Sequence, residues 1–354
     1  MSIKTKAIIT VITDLLLIGV CLIVFALFHH VIPQPAEQQD QSMGGGNDVN
    51  PFRSPKPSAT STVVTPTSSL DPSVTGTVTV EPTPDIYYGQ FGAQFGHLFQ
   101  NEGETVHTAN EYRSKDIYIN IYTDTADYGE GKVVYHVADI YVRNMENLRS
   151  RLAHDTFGRG YTEDVRKLTF ESGGIVGLSG DMSSSTRGGI VIRNGQAYSS
   201  KPFGDVCVIY WDGTMKTFYE KDFNMEREMN NYAYQAWDFG PKLLGDNGEV
   251  LTEFNSSVKK RNPRGVIGYF EPGHYCFVAI DGRGCSGSVG TTMQQTAQLM
   301  HDLGCKQAFN LDGGQSAVMA HNNGDGDWKN DFVNVPYNGG RPLSDIIYIA
   351  EWTE

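Results

Sequence analysis

Apolar and polar positions divide the chain into three stretches. Residues 7–28, AIITVITDLLLIGVCLIVFALF, are apolar with hardly a break. As a helix these residues reach about 33 Å, enough for a bilayer core of about 30 Å. Asp14 is the one charge, off-centre and within reach of an interface. Lys4 and Lys6 precede the run, and no Lys or Arg follows it until Arg53. The positive-inside rule then predicts a cytoplasmic tail at 1–6, a transmembrane anchor at 7–28 and everything later outside the cell membrane. A cleaved signal peptide is the alternative, but the end of the run, FALFHHVIPQP, lacks a small-x-small site. Residues 29–84 are rich in Pro, Ser and Thr and poor in aromatics. Such a composition cannot bury enough apolar area to offset ordering entropy, so it predicts a disordered linker.

From 85 to 354 the pattern is that of a folded domain with many short strands. GIVIRNGQAYSS carries Asn194-Gly195 between apolar runs, DVCVIYWDGTMKTFY carries Asp212-Gly213, and VIGYFEPGHYCFVAIDGR turns at Glu271-Pro272-Gly273. These are three hairpins. IYINIYTD and KVVYHVADIYVRN read as further strands completing a sheet. Helices are few. MENLRSRLA (145–153) suits a short helix. Thr291 to Leu303 is clearer, with Met293, Ala297, Met300 and Leu303 on one face and Gly304 as its stop. A strand into Asp281, that helix and a strand into Asp312 form a β-α-β crossover. The expected fold is α+β, a mixed and largely antiparallel sheet with a few helices, preceded by one transmembrane helix.

The chain has 354 residues and a formal net charge of −13, which argues against nucleic acid as a partner because phosphate backbones need basic surface. Five cysteines show no metal spacing, and the nine histidines are scattered. Cys285 with Cys305 is the favoured disulfide if the domain is exported. No metal or cofactor is implied, and oligomeric state is not legible. HNNGDGDWKND (321–331) is acidic and turn-rich but lacks the EF-hand order.

Four segments share a pattern in which an apolar run ends in Gly with Asp, Asn or Arg. They are GIVGLSGDMSS (Asp181), NPRGVIG (Arg264), FVAIDGRG (Asp281, Arg283) and FNLDGGQS (Asn310, Asp312). Strand ends of a crossover lie side by side, so Asp281 and Asp312 are expected to share one crevice.

These segments, in this order and joined by AWDFGPKLL and GGRPLSDIIYIAE, resemble the phosphodiester glycosidase family over Thr169 to Glu351. The resemblance implies a hydrolase that releases a sugar, N-acetylglucosamine in the known activity, from a phosphodiester. Its partner would be a sugar-1-phosphodiester or phosphorylated glycan, in cell-surface or exopolysaccharide material. Asp312, Gly313 and Gly314 fall on the family's Asp-Gly-Gly, Asn310 on its Asn, Arg264 on its Pro-Arg, Asp281 and Arg283 on its Asp-Gly-Arg, and Arg341 on its Arg-Pro. The chain departs from the family pattern at two places. Gln315, Ser316 and Ala317 stand where the family has a third Gly and small hydroxyl residues, and Ser179 replaces an Asn.

Breaking the sugar–oxygen bond of such a diester releases a phosphate monoester, already an acidic group with a second pKa of about 6. Cation on the phosphate matters most, and planar arginines hold phosphate bidentately, which suits Arg264, Arg283 and Arg341. A carboxylate must attack the anomeric carbon or activate water. Asp312 is the expected residue, with Asp181 or Asp281 as its partner. Gly313 and Gly314 bring bare backbone to the ligand, and Asn310 and Ser316 are further polar contacts. Tyr232, Tyr234 and Trp237 suit either sugar stacking or core packing. A non-catalytic glycan-binding or assembly module is the competing function, favoured by Ser179 and Gln315.

Overall fold

The computed structural model describes residues 3–27, 33–35, 49–52, 89–183 and 189–352. Three antiparallel sheets meet around one core. The largest has seven strands, in the spatial order Gln307–Asn310, Arg264–Glu271, His274–Ile280, Lys132–Val142, Ile117–Asp127, Glu111–Arg113, Val106–His107. A four-stranded sheet runs Met319–His321, Gly174–Ser179, Asp345–Ala350, Leu148–Leu152. A five-stranded sheet runs Gln196–Lys201, Gly189–Arg193, Ala233–Trp237, Val206–Tyr210, Met215–Phe218. Their inner faces share Ile140, Phe277 and Phe309 from the first, Val176 and Ile347 from the second, and Ile209 and Trp237 from the third. Each outer face is covered by one helix. Met293–Asp302 lies on the seven-stranded sheet, Val165–Glu171 on the four-stranded and Met225–Asn230 on the five-stranded.

The three expected hairpins form as read. Asn194 and Gly195 both take positive φ (51° and 81°), the type I′ geometry that Asn-Gly favours. The Met293–Asp302 helix is closed at its start by a capping box between Thr292 and Gln295 and is followed by Gly304 at φ 90°. The crossover takes a form the sequence did not foretell. The strands ending at Ile280 and Asn310 run in the same direction, but Arg264–Glu271 lies between them and pairs antiparallel with both. No parallel ladder occurs among the described residues.

Two expectations are corrected. Residues 145–153 are not a helix but a 3-10 turn, Met145–Asn147, then the strand Leu148–Leu152, with Ala153 opening a second 3-10 turn. Leu148, Ser150 and Leu152 are buried while Arg149 and Arg151 alternate outward, a period of two that pairing with Asp345–Ala350 selects over helix. The transmembrane helix does not hold either. The amino-terminal helix runs Ile3–Ala26, and among the described residues no helix is long and apolar enough to cross a membrane. Lys4 and Lys6 fall inside this helix, and Asp14 sits at its mid-length rather than off-centre, where a carboxylate is most costly to a bilayer. The cytoplasmic amino terminus and membrane location that rested on the anchor fall with it.

Most of 29–84 lies outside the described residues. Two short pieces of it are described. Gln34–Pro35 pairs with Gly158–Arg159, and Asn50 donates to Gln90 (3.1 Å) and Glu146 (3.2 Å).

Candidate active site

Strand ends from all three sheets reach a cleft of about 510 Å³. The seven-stranded sheet supplies Arg264, Asn310, Asp312, Gly313 and Gly314, the four-stranded sheet Asp181, and the five-stranded sheet Asp238. Arg283 and the loop from Asn255 to Val258 complete the wall.

Arg264 begins the inserted strand and is 2% exposed. Its Nη2 donates to the carbonyls of Val258 (2.9 Å) and Lys260 (2.7 Å). Its Nε is buried without a partner, and no carboxylate pairs with it among the described residues. Burial and the neighbouring Arg283 cation pull its guanidinium down to about 10, so it stays charged at neutral pH at a cost that an anionic ligand would relieve. Arg283 is exposed, held at φ 54° on its turn, donates to Asn262 Oδ1 (2.8 Å) and lies over the Tyr337 ring.

Asp312 is 4% exposed. Arg341 Nη2 donates to its Oδ2 (2.8 Å) and the Gly313 amide to its Oδ1 (2.8 Å). Burial raises its pKa, and Ser316 and Arg341 work against that rise. A Cβ on Gly313 would lie 2.8 Å from the Pro263 carbonyl. One on Gly314, at φ 64°, would lie 3.1 Å from the Arg283 guanidinium. Only glycines allow this close approach. Arg341 also donates to Ser316, which is buried; neither residue lines the cleft. Asn310 donates to the carbonyls of Gly240 (2.9 Å) and Leu311 (2.7 Å), and its buried Oδ1 has no partner.

Beside Asp312, whose amide donates to the Gly180 carbonyl (3.1 Å), Asp181 belongs to a buried triad. Arg193 donates to Asp181 Oδ2 (3.1 Å) and to Asp345 Oδ2 (2.7 Å), and Asp345 also accepts from the Asp181 amide (3.0 Å) and Trp237 Nε1 (3.2 Å). Burial first, then the Asp345 charge, raises the Asp181 carboxyl despite Arg193. Asp238 accepts from the Phe203 amide (2.7 Å), and burial pushes it up to about 6.

Asp281 does not line the cleft. His136 (3.1 Å), Ser286 (2.6 Å), Asn334 (3.2 Å) and the Val335 amide (3.1 Å) saturate its carboxylate. The reason is strand parity. Arg264 is paired with Ile280, so those two side chains share a face, and the next residue points to the other. Ile280 packs with Val266 under the helix, whereas Ala279 and Phe277 face the inter-sheet core. The disulfide expectation also changes. Cys305 lies beside Cys276, sulfur to sulfur 3.8 Å, and not beside Cys285; all are free thiols. Tyr234 and Trp237 are buried in the core, while Tyr232 is exposed against Phe52, and none lines the cleft.

Sequence reasoning missed Arg193, Asp238 and Asp345. Asp238 had the strand-end signal in AWDFGP. Asp345 precedes its apolar run instead of ending it, and Arg193 sat in a hairpin that its turn already explained. The residues at the two departures from the family pattern do not line the cleft. Ser179 is fully buried, and Gln315 donates to the Gly340 carbonyl (2.9 Å).

Comparison with known proteins agrees with this architecture. A curated relative, the SPbeta prophage-derived uncharacterized protein YomE of Bacillus subtilis (strain 168), is 24% identical over 242 residues, covering 62% of this chain but only 37% of that protein. The zebrafish N-acetylglucosamine-1-phosphodiester alpha-N-acetylglucosaminidase catalytic domain, auto-inhibited by its pro-peptide, superposes with a TM-score of 0.53 at 19% identity, covering 70% of this chain and 88% of that one. A hypothetical protein from Synechocystis gives 0.53 at 13% identity, covering 67% and 62%. At these identities the likeness is one of fold. The phosphodiester glycosidase family model matches residues 172–350, more than half of the chain and nearly all of the segments that build the cleft, and the chain therefore belongs to the phosphodiester glycosidase family.

Proposed function

We propose that the cleft hydrolyses the sugar–oxygen bond of a sugar-1-phosphodiester. One observation carries this reading: Arg264 is a buried cation with an unpartnered Nε and no counter-carboxylate, in the same cleft as Asp312, Asp181 and Asp238. Such a cation favours an anionic ligand, and three carboxyls around it disfavour a mere anion-holding role, since like charges there would cost affinity.

Arg264 and Arg283 hold the phosphate, and their charge offsets what builds on the departing phosphate monoester. Asp312 is the carboxylate that attacks the anomeric carbon or takes the proton of the attacking water, with Arg341 and the Gly313 amide fixing its orientation. Asp181 and Asp238, both raised by burial, are the groups suited to handling a proton or meeting the sugar hydroxyls. Residues 85–354 form the catalytic unit in this reading. Ser179 and Gln315, the sequence features that favoured a non-catalytic module, do not line the cleft, which supports the enzyme.

The test is turnover of an alpha-N-acetylglucosamine-1-phosphodiester by the full chain in oxygen-18 water, beside Asp312→Asn. Isotope in the released sugar, lost with the variant, is the expected result. Isotope in the phosphate would mean P–O cleavage, and no turnover across a panel of such diesters would favour the binding module.

A further inference from the structure

A second cavity, of about 530 Å³, opens elsewhere on the domain and shares no lining residue with the cleft. The turn at Asn110, the strand residues Tyr122 and Thr123, and the segment from His321 to Val333 enclose it. We infer that it is a second carbohydrate site, taking an uncharged sugar ring of a glycan.

Two buried polar groups carry the inference. His321 is 6% exposed and Asp331 4%, and both line the cavity. Each keeps one buried polar atom, His321 Nε2 and Asp331 Oδ1, without a hydrogen-bond partner. Buried polar groups are ordinarily satisfied, so two orphans on one cavity wall mark a place where something else completes them. The chemistry of that something is narrowed by the rest of the wall. Asn110, Asn323, Asn330 and the Thr123 hydroxyl offer donors and acceptors together, as a polyhydroxylated ring requires. Tyr122, 37% exposed, presents an aromatic face. No Lys or Arg lines the cavity, unlike the cleft, so a phosphate or carboxylate ligand is disfavoured. His321 adds no charge, because burial and the neighbouring His107 pull it down to about 4. A cation is disfavoured as well. The carboxylates of Asp325 and Asp327 are turned back onto the amides of Asp327 (2.8 Å) and Lys329 (3.2 Å), leaving Asp331 as the one acidic residue on the wall.

The site does not depend on what the cleft cleaves. Two hydrogen bonds lead from it to the turn that carries Arg283, though not into the cleft itself: Thr123 Oγ1 meets His136 Nδ1 (2.8 Å), and His136 Nε2 meets Asp281 (3.1 Å), two residues before Arg283. A glycan held in this cavity would contact Thr123, the first member of that chain.

Saturation-transfer NMR on the full chain, with N-acetylglucosamine, galactose and glucose oligomers as probes, tests the inference. Binding of at least one probe is expected, weakened about two- to tenfold by Tyr122→Ala, a surface change that leaves the core intact, and more by Asp331→Asn. Asp312→Asn should leave this binding unchanged. Binding that survives Tyr122→Ala and Asp331→Asn but is lost with Asp312→Asn would place the sugar in the cleft and overturn the second site. So would no binding by any probe, or a calorimetric response to calcium chloride alone that Asp331→Asn removes.

Discussion

Asp281 and Asp312 each close an apolar strand, each precede a glycine, and their strands run the same way in one sheet. Asp281 is bound by four donors from three segments and faces the side of the sheet away from the cleft. Asp312 has an arginine and one backbone amide, and it lines the cleft beside Arg264. The motif marks a strand end carrying a carboxylate. What the carboxylate does is decided by which face its position in the strand selects, and by how many donors the neighbouring segments bring.

The contrast can be broken from either side. The largest effect is expected from Asp312→Asn, a loss of kcat/KM on the order of a thousandfold or more with little change in Tm, measured by steady-state kinetics and thermal unfolding. Arg264→Met should lower kcat/KM by about 10²–10³-fold while leaving Tm equal or higher, because it removes a buried charge that has no counter-charge in the unliganded fold. A drop in Tm would show that its carbonyl contacts, and not a ligand, are its purpose.

Asp281→Asn should do the reverse of Asp312→Asn. It should cost about 2–4 kcal/mol in denaturant unfolding, with turnover reduced mainly through disordering of Arg283. The smallest effect concerns pH. Burial pushes the Asp281 carboxyl up, but His136, Ser286 and Asn334 outweigh it and the net shift is downward. Its stabilisation is therefore present above the unfolded carboxyl pKa and lost as pH falls through the folded one. Asp238 behaves oppositely. Raised from 3.8 to about 6, it favours the fold when protonated, and that contribution is lost as pH rises between those values. Asp238→Asn should thus stabilise by about 1–3 kcal/mol at pH 8 and by nothing at pH 4. Equal gains at both would mean that the benefit is not one of charge.

Local signals in the sequence were dependable where they act locally. The Asn194-Gly195 turn, the Gly304 helix stop and the glycines at 313 and 314 impose their geometry on adjacent backbone, and each does so in the fold. Strand parity was not legible, because FVAI and AFNL are buried on both faces and show no alternation to reveal which side is which. Nor was the insertion of Arg264–Glu271 between its two neighbours, since register across the sheet is set by packing far along the chain. In LRSRL the alternation was present, and reading it as a helical stripe missed the strand. The apolar run near the amino terminus misled for a different reason. Composition there suggested a span, and the helix that forms takes in two lysines and centres an aspartate.

One residue added or removed between Val266 and Glu271 would turn Arg264 to the opposite face and exchange the roles of the two sides of its strand. Two would restore the face but carry the guanidinium about 7 Å along the sheet, away from its place in the cleft. Arg264 is paired with Ile280, and Val266 with Asn310, so the spacing of this strand is fixed against both neighbours at once. Tolerance to insertion should lie instead in the Pro272-Gly273 turn and the loops beyond the strand ends. In this part of the chain length is constrained alongside side-chain identity, and a scan of single-residue insertions would trace the cleft as sharply as a scan of substitutions.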